Sequence, residues 1–263
     1  MYKILQDQKL RNSIFDLLIE AGDKIMTYYR SETFETFQKE DKSPVTTADL
    51  ASDEVISRGL AALTPCWKVI SEEKALPDQK EQKQTDYFWI LDPLDGTKEF
   101  LHRTDEFSIN LALIHDDEVV AGYIYLPVFK EMYYGVKGHG AYQYIDHSEE
   151  KRLHVNSFSL ADENLKVVTS RNHIDDGTRV YLEKLNNPNL IFMGSALKFI
   201  NIANGKADYY PRMIQIMEWD TAAGQIIIEE AGGSLVTANT GEPLTYNKPG
   251  MINPYFIASG KII

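Results

Sequence analysis

Between residues 10 and 29, apolar side chains recur at Leu10, Ile14, Leu17, Leu18, Ala21, Ile25, Tyr28 and Tyr29, the spacing of one helix face. A polar loop carrying Lys39, Asp41, Ser43 and Pro44 follows. A second helix is predicted from Thr46 or Thr47, whose hydroxyls suit an N-cap, to Leu63, with Leu50, Ile56, Leu60 and Leu63 as its apolar stripe. The period then changes. Short apolar or alternating runs at 67–71, 87–92, 107–115, 119–126, 131–135 and 141–145 predict strands, with His115-Asp116-Asp117-Glu118 as a hairpin connection. From residue 165 the two patterns alternate. Strands are predicted at 165–169, 190–193, 207–210, 235–237 and 255–259, and helices at 175–185, 195–204 and 221–231. Gly205 and Gly232-Gly233 stop the last two helices. The expectation is an α/β (α+β) protein of two lobes, residues 1–150 and 151–263, with the charged stretch 146–151 as the boundary.

A chain of 263 residues, 43% of them hydrophobic, can bury a sizeable core. The single cysteine, Cys66, has no internal disulfide partner; it is expected to be a small buried hydrophobe in a protein of a reducing compartment. The first residues lack the basic-then-apolar pattern of a signal peptide. No uncharged run of about 18 apolar residues occurs, so a cytoplasmic protein without a transmembrane segment is expected. The formal net charge of −12 opposes binding to nucleic acid and to anionic lipid. An anionic substrate would therefore need cations placed within the site, either a bound metal or a few Lys and Arg residues.

The chemistry-bearing residues sit at the ends of predicted elements. Asp92 and Asp95 lie three apart in Asp92-Pro93-Leu94-Asp95-Gly96-Thr97, directly after the apolar run Tyr87-Phe88-Trp89-Ile90-Leu91. Glu72 follows another apolar run, and Asp220 lies in Glu218-Trp219-Asp220-Thr221, which opens a helix-like segment. Nearby carboxylates repel unless a cation sits between them, and hard oxygen donors suit magnesium. The Leu94 carbonyl would be a further hard ligand. Gly96-Thr97-Lys98 begins a short helical turn whose free N–H groups suit a phosphate, and the Thr97 hydroxyl suits the orientation of a water. Each piece alone has an ordinary explanation: a Pro/Gly turn, a solvated charge, a capping carboxylate. Lys198 and Arg212 taken alone read as surface cations, His173 as a histidine without a ligand, and Phe199 as core.

Together these residues resemble the inositol monophosphatase superfamily of magnesium-dependent, lithium-sensitive phosphatases. The motifs are Asp92-Pro93-Leu94-Asp95-Gly96-Thr97, Trp219-Asp220-Thr221-Ala222-Ala223-Gly224, Glu72 in Ser71-Glu72-Glu73, and Lys42-Ser43-Pro44-Val45-Thr46-Thr47-Ala48-Asp49. Within the superfamily the chain is most similar to the CysQ-type 3'(2'),5'-bisphosphate nucleotidases. That likeness rests on Thr97-Lys98-Glu99-Phe100, Ser170-Arg171-Asn172-His173, Gly194-Ser195-Ala196-Leu197-Lys198-Phe199 and Tyr210-Pro211-Arg212. Ala196 stands where a second serine is common.

The resemblance implies a layered αβαβα sandwich of the sugar-phosphatase type, with the site between the lobes. It implies two magnesium ions, with room for a third, held by Glu72, Asp92, the Leu94 carbonyl, Asp95 and Asp220. Asp49 and Thr97, with Glu72, would activate the attacking water. Glu72, Gly96, Thr97, His173, Ser195, Lys198, Arg212 and Asp220 would hold the substrate. The implied reaction removes the 3'-phosphate of adenosine 3',5'-bisphosphate, or of its phosphosulfate analogue, in nucleotide recycling during sulfate assimilation. Activity on inositol phosphates or sugar bisphosphates, and a catalytically silent nucleotide-binding regulator, remain the competing readings. Monomer or homodimer, and peripheral association with the cytoplasmic face of the inner membrane, are left open.

Overall fold

Asp7 accepts the N–H groups of Lys9 and Leu10 and so caps α1, Gln8–Arg30. The computed structural model describes residues 7–31, 35–38, 44–74, 76, 86–145, 149–171 and 174–263. A short ribbon, β1 (Thr36–Gln38) and β2 (Pro44–Thr46), leads into α2, Thr47–Leu63. Helix α2 buries Ala48, Ser52, Val55, Ile56 and Leu60. Leu50 and Leu63, placed in the stripe by the sequence, are 46% and 36% exposed. The buried face is centred on Ala48, Ser52 and Val55-Ile56, and at about 100° per residue Leu50 falls on the far side. Cys66 is exposed, not buried as expected, because it lies in the turn between α2 and β3, where Trp67 N–H bonds back to the Thr64 carbonyl.

Seven strands then form one sheet in sequence order: β3 (Lys68–Ser71), β4 (Tyr87–Asp95), β5 (Ser108–His115), β6 (Glu118–Leu126), β7 (Glu131–Val136), β8 (Gly140–Ile145) and β9 (Glu149–Arg152). Only β3 and β4 are parallel. A five-residue helix, α3 (Thr97–Leu101), follows β4. Part of the charged stretch 146–151 thus continues the first sheet as β9. Alternate residues of β4 enter different cores. Trp89 and Leu91 pack with α1 and α2, whereas Phe88 and Ile90 join the core on the opposite face. Burial on both faces explains why β4 and β5 read as continuous apolar runs.

The second half contributes β10 (Ser157–Phe158), β11 (Lys166–Thr169), α4 (Asp176–Leu182), β12 (Asn189–Phe192), α5 (Leu197–Ala203), β13 (Tyr209–Arg212), β14 (Ile216–Met217), α6 (Glu218–Glu230), β15 (Ser234–Thr237), β16 (Ile252–Asn253), β17 (Phe256–Ser259) and β18 (Lys261–Ile262). A five-stranded sheet runs β12-β11-β13-β17-β15; β10 pairs with β18, and β14 with β16. Helices α5 and α6 lie between the two sheets, and α4 covers the outer face of the second. The layers are α1 and α2, the seven-stranded sheet, α5 and α6, the five-stranded sheet, and α4, which is the αβαβα sandwich expected. Helix α6 is the shared element: Ile226 and Ile227 pack in one cluster with residues of both sheets. Among the described residues no helix is long and apolar enough to cross a membrane.

Candidate active site

In a regular strand, residues three apart face opposite sides. Asp92 and Asp95 break that rule because β4 bulges. Asp92 pairs with Asn110 and Asp95 with Ser108, so three steps on β4 match two on β5. The extra residue restores the parity and returns Asp95 to the side of Asp92. Asp92 continues the series Phe88, Ile90 that faces α6. Its Oδ1 accepts the Leu94 N–H at 3.1 Å, closing the turn, and Ser52 of α2 donates to the Pro93 carbonyl at 2.8 Å. Asp95 Oδ2 accepts from Ser195 at 2.7 Å, from Asn110 at 3.1 Å and from Ser108 at 3.5 Å. Oδ1 takes none of these donors, so the side chain is oriented with one oxygen spare.

Asp220 comes from the first turn of α6, which starts at Glu218, earlier than the residue 221 expected from the sequence. Its Oδ2 accepts the Met217 N–H at 2.8 Å, so it does cap the helix, and the remaining oxygen is available. Buried Glu218 fixes the same helix start by accepting the N–H groups of Asn247 and Lys248 at 2.7 and 3.0 Å and the Lys248 ammonium at 2.6 Å. Asp92, Asp95 and Asp220 each bring one oxygen within 4.8 Å of the others. Among the described residues no lysine or arginine forms an ion pair with any of them. Burial, then the charges of Glu72, Asp95 and Asp220, push the Asp92 carboxyl well above its ordinary range. Burial, Asp95 and Glu72 do the same to Asp220. An oxygen-only set of crowded, desolvated carboxylates fits a hard divalent cation.

Glu72 follows β3, its N–H bonded to the Leu91 carbonyl at 3.1 Å. It lies outside the 4.8 Å group, although its charge acts on both Asp92 and Asp220. On the other side of the turn, Asp49 Oδ2 accepts the Thr46 N–H at 2.8 Å and the Thr46 hydroxyl at 2.6 Å, while Oδ1 accepts the Thr97 hydroxyl at 3.2 Å. Burial raises the Asp49 carboxyl, and these donors counter it. Thr97 Oγ1 also lies 3.4 Å from the Leu94 carbonyl, so that carbonyl points toward the same space. Gly96 turns the chain into α3 with φ 92°, which suits glycine.

A cleft of about 290 Å³ opens beside the aspartates, lined by Asp95, Gly96, Ser195, Lys198, Arg212 and Asp220 among others. Lys198 is not a surface cation: it is 7% exposed, and it donates to the Ser195 carbonyl at 2.7 Å. Burial lowers its pKa to about 8, Asp95 opposes that shift, and the neighbouring Arg212 charge adds to it. Arg212 lines the same cleft, and its buried Nε has no hydrogen-bond partner among the described residues. Phe199 is core, 3% exposed and packed on the rings of Tyr210 and Phe256. His173 and the loop residues Lys42 and Ser43 lie outside the described residues.

Residues 6–259 match the inositol monophosphatase family model. The chain belongs to the inositol monophosphatase family. It is 40% identical over 245 residues to the 3'(2'),5'-bisphosphate nucleotidase CysQ of Salmonella typhimurium, covering 92% of this chain and 96% of that protein. It is 37% identical over 250 residues to the protein of the same name from Escherichia coli, covering 94% and 98%. The crystal structure of CysQ from Bacteroides thetaiotaomicron, described as a bacterial member of the same family, superposes with a TM-score of 0.84. It shares 38% identity and covers 98% of this chain and 99% of that one.

Within this family member, sequence reasoning missed the residues that orient the aspartates. Ser108 and Asn110 are buried at alternate positions of an otherwise apolar strand, and that interruption was the available signal. Thr46 was foreseen as a helix cap, but not as a double donor to Asp49.

Proposed function

We propose that this protein is a magnesium-dependent phosphatase that hydrolyses the 3'-phosphate of adenosine 3',5'-bisphosphate to AMP and inorganic phosphate. The observation that carries this reading is the cleft itself, which joins Asp95 and Asp220 of the aspartate cluster to Lys198, Arg212 and the exposed Lys98. A small phosphate monoester needs only the first. A substrate with a second phosphate uses both, and Arg212 Nε is a buried donor awaiting an acceptor. The relatives named as bisphosphate nucleotidases support the same substrate class.

Asp92, Asp95 and Asp220, with Glu72 and the Leu94 carbonyl, are the residues suited to hold the magnesium ions, and two ions fit this many oxygen donors. Bound magnesium in such a site polarises the phosphoryl oxygens and makes water a stronger nucleophile. The chain supplies the rest. Asp49, fixed by Thr46, draws the Thr97 proton toward Oδ1 and leaves the Thr97 oxygen free to accept a hydrogen bond from water. Lys198 and Arg212 bind the 5'-phosphate, Ser195 holds Asp95 in place, and Gly96 lets the chain approach the substrate closely.

The test is phosphate release from adenosine 3',5'-bisphosphate, its phosphosulfate analogue and inositol 1-phosphate, with and without magnesium. The expected result is magnesium-dependent release with the highest kcat/KM on the nucleotides. Preference for inositol 1-phosphate would reassign the substrate within the family, and nucleotide binding without turnover would make the protein a regulator.

A further inference from the structure

Glu106 lies between α3 and β5, two residues before Ser108. Its backbone oxygen is 3.0 Å from where a Cβ on Gly96 would stand, so residue 106 passes directly over the turn that carries the aspartates. Its carboxylate reaches residues of the second sheet's strand exits. One oxygen accepts the Gly194 N–H at 2.8 Å, and the other forms an ion pair with Arg171. Arg171 follows β11 and Gly194 follows β12, which are neighbouring parallel strands of the second sheet. Glu106 therefore ties the exits of two strands of one sheet to the entrance of β5 in the other.

The segment starting at Gly194 carries Ser195 and Lys198. Ser195 has φ 52°, uncommon for a residue with a side chain and held only where the surroundings enforce it. Its hydroxyl lies 2.7 Å from both Asp95 Oδ2 and Ser108 Oγ. Lys198 Nζ reaches back to the carbonyls of Ser195 and Met193, at 2.7 and 3.4 Å. The segment is thus held from its carbonyl side by Lys198 and from its amide side by Glu106. A substrate phosphate can take the third N–H of the Lys198 ammonium while the two carbonyls keep theirs, so the placement of Lys198 depends on how the segment is held, by Glu106 at the Gly194 amide and by the Ser195 hydroxyl on Asp95 and Ser108. Gly194 is required for the fit, since a Cβ there would stand 2.5 Å from Glu99 Cγ.

We propose that Glu106, steadied by Arg171, is a positioning residue for nucleotide recognition: it fixes the Gly194 amide and with it Ser195 and Lys198 against the aspartate cluster. The inference rests on the nucleotidase reading above. Glu106 itself meets no reacting atom.

The test compares wild type, Glu106→Ala, Glu106→Gln and Arg171→Met on adenosine 3',5'-bisphosphate and on inositol 1-phosphate. Glu106→Ala is expected to raise the nucleotide KM about tenfold or more, with a much smaller change in kcat and in the inositol 1-phosphate KM, because Asp95 keeps Asn110 as a donor independent of the Gly194 segment. Glu106→Gln keeps an acceptor for the Gly194 N–H and should recover part of the loss. Arg171→Met, at an exposed position, should raise the nucleotide KM by a smaller factor, and it carries the test should Glu106→Ala not fold. An unchanged nucleotide KM in Arg171→Met, or equal losses on both substrates in any variant, overturns the inference while leaving the nucleotidase reading standing. A wild type without nucleotide turnover overturns both.

Discussion

In the proposed mechanism Asp49 and Thr97 share one proton, because the Thr97 hydroxyl donates to Asp49 Oδ1. Thr97→Ala removes the oxygen that would orient water and should lower kcat by roughly 10²-fold, with little change in magnesium affinity. Asp49→Asn should fall similarly, and the double variant should fall by less than the product of the two losses; strict multiplication would count against a coupled pair. Lys198 and Arg212 make a different claim. Methionine at either position should reduce kcat/KM for adenosine 3',5'-bisphosphate by about ten- to a hundredfold and should reduce that for inositol 1-phosphate far less. Lys198 also sets a pH dependence. With its pKa lowered to about 8 in the free protein, an anion that prefers the charged form must raise it on binding. Binding should therefore take up protons and weaken as pH rises above about 8. Calorimetry in two buffers of different ionisation enthalpy measures this uptake, and Lys198→Met should abolish it.

At the scale of elements, two helix starts and one strand bulge do the positioning. Helix α2 begins where Thr46 caps it and grips Asp49 with the same hydroxyl, so fold and chemistry share one side chain. Thr46→Val should cost about 0.5–2 kcal/mol of stability and should also lower kcat, since Asp49 loses a donor to Oδ2. Thermal melting and kcat measured together check it; a stability loss with full activity would confine Thr46 to capping. Helix α6 delivers Asp220 from its first turn while packing between both sheets, so its register along the core sets where that carboxylate stands. Gly224 permits this packing, because a Cβ there would come 2.5 Å from the Phe199 ring.

For the whole molecule, the aspartate cluster is a store of repulsion in the metal-free protein. The Asp92 and Asp220 carboxyls bind protons more tightly when folded than when unfolded. Where the folded state holds more protons, stability falls as pH rises. The metal-free protein should therefore be more stable in mild acid and lose stability as pH rises from the ordinary aspartate range through the raised folded values. A divalent cation such as magnesium would bind the ionised form, so its addition should raise the melting temperature at neutral pH and do little in mild acid. Asp92→Asn should raise the metal-free melting temperature at neutral pH, flatten its pH dependence and abolish turnover. Melting curves across pH in chelator and in magnesium decide this; a metal-free protein most stable at neutral pH would contradict it.

The order of the main helices and strands could be read from the chain, because it depends on local pattern: helical or strand period and a capping hydroxyl. The layered class and the choice of carboxylates came from the family resemblance, since each acid taken alone has an ordinary explanation. Local pattern could not set the parity of Asp92 and Asp95, which depends on the β4 bulge against β5. Nor could it tell that Leu50 faces solvent, that Cys66 lies in an open turn, or that Lys198 is buried, since burial belongs to the layer that covers a residue. The bond from Glu106 to Gly194 joins residues 88 positions apart, and no spacing in the sequence predicts it. The sequence by itself determined which groups are present and which elements carry them. Only the tertiary structure decided which of them meet, because α6 and the strand exits of the second sheet reach the turn after β4 through packing between layers.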